Sequence, residues 1–358
     1  MKLDYSNRRA DPEGWARELG ISRAAVDLYL ASDVIDLHVD SFIWNRIFGY
    51  RLERSHGLGL FGGRFYSQVD FPRILEGGLT GATWVITTNP LRSAAGRARA
   101  FAANLERLRG IFAGVSEQFT VVEDVAGYRA AREAGKHAAF LAIQGGSALD
   151  RDADALDLIP GRAILRVTVV HLYSSSLGTT SAPLRRGGDT GLTDAGRDFV
   201  RRLEARRIFP DLAHISRQGF WDAVEVHDRT LPLLVTHTGV CGVHEHWRNL
   251  DDRQLRAVAD SGGVAGIMYQ SSFLDGSFLG CRAEAVVRHL EHAVQTIGDD
   301  HVALGSDWDG AITPPLDLKT PVELPRLVEL MLARGMKESS IVKILGANFL
   351  RVVQAMRG

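Results

Sequence analysis

Eight short runs of apolar, largely β-branched residues recur along the chain, and each has the length of a strand. They occupy residues 34–38, 81–88, 138–144, 164–171, 208–214, 232–237, 263–269 and 302–307. Between most of them Ala, Leu and Val recur at helical spacing opposite a charged face, as in residues 94–112, 194–207, 251–260 and 282–297. Strand and helix therefore alternate. Eight strands with helical crossovers predict a (β/α)₈ TIM-type barrel, because right-handed parallel crossovers make ring closure the simplest outcome. A doubly wound open sheet is the architectural alternative.

Two segments fall outside this rhythm. Residues 1–30 are a polar start followed by a helix over SRAAVDLYLAS, and residues 43–68 read as a long loop. Beyond the last strand, residues 321–356 predict further helices, joined at Gly335 and again near Gly346, packing on the barrel. The whole reads as one domain, residues 1–358, with 1–30 as an N-terminal helical extension. A chain of 358 residues that is 45% hydrophobic can bury a core of that size.

Charge adds a constraint on partners. Lys and Arg total 42 against 43 Asp and Glu, a formal net charge of -1. No global field then favours nucleic acid or an anionic membrane, and any partner is recognised locally. The start carries no apolar signal segment, and no run approaches the roughly 18 apolar residues of a membrane span, so a cytoplasmic protein is expected. Cys241 and Cys281 are too few for a disulfide framework and read as reduced thiols.

Candidate chemistry gathers at the strand ends. His38, Gln144, His171, His214, His237 and Asp307 each close, or nearly close, one of the apolar runs. In a barrel those ends converge on one face, where active sites of this fold sit. Asp36, His38 and Asp40 alternate at period two and are expected to point together into the barrel mouth. His38 and Asp40 could share one cation, His214 and His237 could meet on a second, and Asp307 would close the ring beside the first pair. Two histidines with two carboxylates suit Zn²⁺ or a similar borderline ion.

From about residue 34 to the C-terminus the chain resembles the membrane (renal) dipeptidase family of zinc peptidases, a branch of the amidohydrolase barrels. The resemblance rests on an ordered set of motifs: DLHVDSF, VDFPRILEGGLTGATW, IQGG, DLAHIS, VTHTG, RNLDD, GSDWDG and GANFLRV. It implies hydrolysis of a dipeptide or similar small amide with a free carboxylate, with one or two Zn²⁺ per chain and a homodimeric assembly. By position it implies that His38, Asp40 and Asp307 surround one metal and that His214 and His237 bind the other. It further implies that His171 holds the carbonyl oxygen in the transition state and that Arg248 holds the substrate carboxylate. Asp307 is expected to take the proton of the attacking water and pass it to the leaving nitrogen.

The chain departs from the family at Gln144, where the resemblance implies a glutamate bridging two metals. Two divalent cations roughly 3.5 to 4 Å apart repel unless anions lie between them, and an amide removes one negative charge from that gap. No lysine ends a strand to replace it, since Lys136 precedes the third barrel strand. Two other functions are therefore carried forward: a deacylase or lactonase with one metal, and a catalytically silent barrel that binds a peptide-like ligand.

Several features are expected to be structural. GLGLFGG at residues 57–63 satisfies G-x-G-x-x-G but follows no strand and opens no helix, so it reads as a loop at the barrel mouth. His289 and His292 are expected on a helix surface, His244 and His246 in a solvated loop, and Trp84 inside the barrel. Tyr269, ending the seventh predicted strand, is a candidate substrate contact.

Overall fold

The computed structural model describes residues 1–150, 153–183 and 187–358. Among the described residues nine parallel strands are present: β1 (Ile35–Val39), β2 (Gly81–Thr87), β3 (Phe119–Val121), β4 (His137–Gln144), β5 (Arg166–Thr168), β6 (Phe209–Asp211), β7 (Leu234–Thr238), β8 (Val264–Ile267) and β9 (Val302–Leu304). Their order is β2-β1-β9-β8-β7-β6-β5-β4-β3, and a further β2–β4 pairing closes the ring. The closed barrel has eight strands, each overlapping one of the predicted runs, and the chain is a (β/α)₈ barrel.

The ninth strand, β3, lies outside the ring. It pairs with the first half of β4, from Phe119 opposite His137 to Val121 opposite Ala139, whereas β5 pairs with the second half, from Ala142 to Gln144. The three-residue β5 cannot cover the eight-residue β4, so β3 satisfies the backbone groups that β5 leaves open. Three residues, one buried and two half-buried, carry too little pattern to be read as a strand.

Side-chain caps start the crossover helices. Asp70, Ser93, Asp124, Thr193, Ser216 and Asp251 each accept a hydrogen bond from the backbone N–H three residues on. Such a cap contributes about 1 kcal/mol and sets where each helix leaves its loop. Trp84 packs on the outer face of β2, edge-on to Phe71 and Phe112 of the helices Phe71–Glu76 and Ala94–Gly114, and does not fill the barrel as expected. The cause is the alternation along β2: Thr87 reaches the inner face, which sends Trp84 outward.

Both termini are more helical than predicted. The polar start includes a helix at Pro12–Leu19, capped by Asp11, that buries Trp15, and a second follows at Arg23–Ala31. The expected loop over 43–68 begins inside the helix Phe42–Phe48. Near the C-terminus Gly335 is a joint with φ +78°, but Gly346 is not. It lies in a π-helical turn, Lys343–Ala347, that runs directly into the helix Asn348–Arg357. A Cβ at Gly346 would meet the Asp33 carbonyl oxygen at 2.5 Å, so the glycine serves close packing against the strand entry. Arg357 bonds the carbonyls of Arg162 and Ile164 just before β5, which holds the final helix at the N-terminal end of the barrel.

Both cysteines are free, and among the described residues no helix is long and apolar enough to cross a membrane.

Candidate active site

The C-terminal strand ends bring His38, Gln144, His214, His237 and Asp307 together, all of them buried. Nε2 of His214 lies 2.8 Å from Nε2 of His237 and 3.2 Å from the side-chain nitrogen of Gln144. The His38 and His237 rings are 3.9 Å apart between centroids, and Nε2 of His38 is 3.5 Å from a carboxylate oxygen of Asp307. His38, His237 and Asp307 offer ligand atoms within 4.8 Å of one another. This grouping cuts across the two sets expected from sequence, because it joins one histidine from each set. Asp40 stands slightly apart, accepting a hydrogen bond from the Thr87 hydroxyl.

Two of these residues are held in a backbone conformation that non-glycine residues rarely adopt: His214 has φ +66° and Asp307 φ +63°. The left-handed region costs a residue with a Cβ roughly 1–2 kcal/mol. Fixing both side chains toward the barrel axis at that cost is the kind of strain found at functional sites.

A buried polar chain lies beneath the cluster, built from residues that the sequence reading did not single out. Arg166 pairs with Asp211 at 3.0 Å and donates to Nδ1 of His38 at 2.8 Å. The other acceptor contacts of Asp211 include the hydroxyls of Thr168, at 2.6 Å, and Thr236, at 2.8 Å. The Thr236 oxygen in turn sits 2.8 Å from Nδ1 of His237. Because the Thr236 proton goes to Asp211, its oxygen accepts from His237, and the proton of that imidazole sits on Nδ1. Nε2 of His237 then presents its lone pair to the cluster. The Gln144 amide nitrogen can only donate, so Nε2 of His214 is an acceptor as well, with its proton on Nδ1.

Two acceptor nitrogens 2.8 Å apart repel unless a cation or a shared proton offsets them, and beside them lie the unpartnered Nε2 of His38 and the Asp307 carboxylate. That is the donor set of a borderline divalent cation, and the residues fit one. His38 fits on one condition. Arg166 can only donate, so Nδ1 of His38 accepts and the neutral ring carries its proton on Nε2, which a ligated cation would displace.

Electrostatics follow from burial. Burial, and then the nearby Asp40 charge, hold the Asp307 carboxyl well above the usual carboxylate range. Burial raises Asp40 to about 7. Burial and the cationic Arg248 push His171 down to about 3, so its imidazole is neutral at pH 7. Burial also lowers His38, His214 and His237.

A cavity of about 210 Å³ opens over the cluster, lined by Asp40, Thr87, Gln144, His171, His214, Arg248 and Asp307 among others. Arg248 is 4% exposed, and its Nε and one terminal nitrogen have no hydrogen-bond partner. A buried guanidinium with free donors on a cavity wall is suited to a carboxylate.

Tyr269 does not reach this cavity. Its ring is fully buried, edge-on to Trp308, and its hydroxyl has no partner; the adjacent Gln270 lines the cavity instead. Asp36 is also displaced from its expected role: it accepts from the backbone N–H of His38 and of Ser306, bracing β1 against the segment after β9. His289 is fully buried rather than exposed, with Nδ1 accepting from Val240 N–H and Nε2 facing the Leu274 carbonyl. His292 pairs with Asp252 at 2.8 Å. His246 stacks on Phe273 and orders the loop that carries Arg248, while the glycine-rich loop is tied to the cavity rim through Phe65 N–H and the Ile312 carbonyl.

The sequence model of the membrane dipeptidase family (peptidase family M19) matches residues 22–357. The chain belongs to this family. A protein in the pqqA 5' region of Klebsiella pneumoniae is 39% identical over 169 residues, 46% of this chain and 60% of that protein. Dipeptidase tcpJ of Claviceps purpurea is 30% identical over 224 residues, 62% of this chain and 51% of that one. The chain thus matches between half and two thirds of the length of these relatives. Similarity to a Rhodobacter sphaeroides metallopeptidase, crystallised with a phosphinate mimic of the dipeptide L-Ala-D-Ala, is more extensive. It covers 91% of this chain and 99% of that structure at 27% identity, with a TM-score of 0.79. Membership in the membrane dipeptidase family is in keeping with a metal-binding donor set at the strand ends.

Proposed function

We propose that this chain hydrolyses the amide bond of a dipeptide, or of a similar small amide with a free carboxylate, with a divalent metal, Zn²⁺ by its donor set. The observation that carries the reading is one cavity that reaches the His38, His237 and Asp307 cluster through Asp307 and has on its wall the buried guanidinium of Arg248, with Nε and one terminal nitrogen unpartnered. His38, His214, His237 and Asp307 would hold the metal, with Asp40 and Gln144 beside them. When bound, a divalent cation supplies Lewis acidity and lowers the pKa of water toward neutrality.

The protein groups do the rest. Arg248 takes the substrate carboxylate with two parallel N–H donors, which fixes the scissile bond over the cluster. His171, neutral at pH 7, donates an N–H to the carbonyl oxygen, a bond that strengthens as that oxygen becomes an anion. Asp307, a buried carboxylate on the cavity wall, accepts the proton of the attacking water and delivers it to the leaving nitrogen.

Metal content per chain, measured after equilibration with excess Zn²⁺ and desalting, together with hydrolysis of a dipeptide panel, tests this reading. Metal binding with turnover is the expected result; no metal and no turnover would overturn it. Arg248→Leu should raise KM for free dipeptides at least about tenfold and leave amidated dipeptides, which lack the carboxylate, little affected. Gln144, between the Thr87 hydroxyl and His214, puts a neutral amide where the resemblance implies a bridging carboxylate, which favours one metal over two. Gln144→Glu is expected to raise metal stoichiometry and dipeptide hydrolysis together, and no change in either counts against that account of the residue.

A further inference from the structure

A second cavity, of about 470 Å³, opens beside the first and shares with it Ile43, Thr87, His171 and Leu172. Four arginines line it, Arg46, Arg92, Arg97 and Arg107, and no Asp or Glu does among the described residues. Arg97 is neutralised: one terminal nitrogen contacts both oxygens of Asp150, at 2.7 and 2.9 Å. The other three have no carboxylate at ion-pair distance among the described residues. Arg107 donates to the Asn45 carbonyl, and Nε of Arg46 is buried without a partner. Asp40 is the acid whose charge Arg46 feels, but it accepts from Thr87 and makes no ion pair with Arg46.

Arg92 and Arg107 are exposed at the cavity rim while Arg46 is half-buried, and burial, then the charges of Arg107 and Arg92, hold the Arg46 pKa down. A half-buried guanidinium with two exposed ones beside it and no acidic side chain on the cavity wall among the described residues makes a site that favours an anion. The place of the cavity says what the anion belongs to. Arg46 comes from the helix after β1, and Arg92 and Arg107 follow β2. In the closed ring β2 lies four strands from β7, diametrically across from the strand that precedes Arg248. A substrate held by its carboxylate at Arg248, with its reacting carbonyl at His171, extends toward the arginines on the far wall.

We propose that this cavity binds an acidic side chain of the substrate, so that the preferred substrates are dipeptides containing Glu or Asp. The proposal rests on the dipeptide reading above and adds a second anionic contact to it. The guanidiniums of Arg46 and Arg107 make the charge-assisted hydrogen bonds, and Arg97, tied to Asp150 and to the Arg92 carbonyl, orders the loop that presents Arg92.

The test compares isosteric pairs, Ala-Glu with Ala-Gln and Glu-Ala with Gln-Ala, each in L,L and L,D forms, on the Zn²⁺-equilibrated protein. At one of the two positions the acidic dipeptide should show a kcat/KM at least about tenfold higher, expressed in KM. Arg46→Gln with Arg107→Gln should bring that ratio close to one, and the paired substitutions to Lys should retain part of it. Equal kcat/KM for acid and amide at both positions would overturn the acidic pocket while leaving the dipeptidase reading intact. If no dipeptide is turned over, the dipeptidase reading fails and calorimetric titration with the same four dipeptides decides the pocket. Tenfold tighter binding of an acidic dipeptide, lost in the double Gln variant, supports the pocket; equal binding, or none, overturns it.

Discussion

Arg166 touches both halves of the site at once, directly through His38 and through Asp211 and Thr236 to His237. Removing one partner of a buried pair leaves the other charge uncompensated, which typically costs about 3–5 kcal/mol. Arg166→Met is therefore expected to lower the stability measured by urea unfolding by that amount and to weaken metal binding. A loss under about 1 kcal/mol would show that the two hydroxyls and the backbone N–H groups compensate Asp211 on their own. This residue was visible in the sequence as a lone charge inside the apolar run ILRVTVVH, but what it neutralises depends on Asp211, 45 positions away, which no local pattern connects. The strand-end histidines were legible because one topological rule places every strand end on the same face. Tyr269 was misread for the opposite reason: at the end of a strand one residue of offset reverses the side chain, and Gln270 takes the cavity.

Among the elements, the crossover helices and the outer face of β2 rely on two buried histidines with no part in the site. His137 packs under Trp84, whose indole N–H donates to its Nε2 at 3.2 Å, while Nδ1 faces the Leu79 carbonyl at 3.0 Å. His289 has the same arrangement, with Val240 N–H filling Nδ1 and the Leu274 carbonyl accepting from Nε2. Each ring has one nitrogen occupied by a donor, so a second proton has nowhere to bind without breaking that bond. Burial pushes both down to about 4 from the ordinary 6.5. The folded state thus binds fewer protons than the unfolded state between about pH 4 and 6.5, and stability, complete above that window, falls as the pH drops through it. The loss approaches roughly 3 kcal/mol per histidine at the acid limit. Urea midpoints at pH 7 and pH 5 should show the decline, and His289→Gln should flatten it; an unchanged slope would remove His289 from this account. Neither burial was predictable for His289, because the charged residues around it, Arg288 and Glu291, gave its helix a solvent-facing pattern. The eight ring strands were legible from their length and apolar content, whereas the three residues of β3 were too few to register.

Across the whole molecule, the cluster draws its side chains from strands spread around the ring: His38 from β1, Gln144 from β4, His214 after β6, His237 from β7 and Asp307 after β9. The unfolded chain holds no such arrangement, so whatever binds it stabilises the closed ring by mass action. Chelation should lower Tm, and re-addition of Zn²⁺ at about 100 times its Kd should restore roughly 2.7 kcal/mol. A melting curve indifferent to chelator would mean that these residues bind no metal in the folded state. The seam between the first and last strands has a further consequence. There β1 meets β9, with Asp36 opposite Leu304, the Asp307 N–H reaching the His38 carbonyl and the Asp40 N–H reaching the Trp308 carbonyl. His38 and Asp307 stand on opposite sides of that seam. A ribosome releases β1 long before β9, and until the last strand emerges the two side chains cannot meet. If that pair holds the metal as proposed, its acquisition waits for the last strand of the ring, and a nascent chain stalled before residue 302 should take up none through the pair.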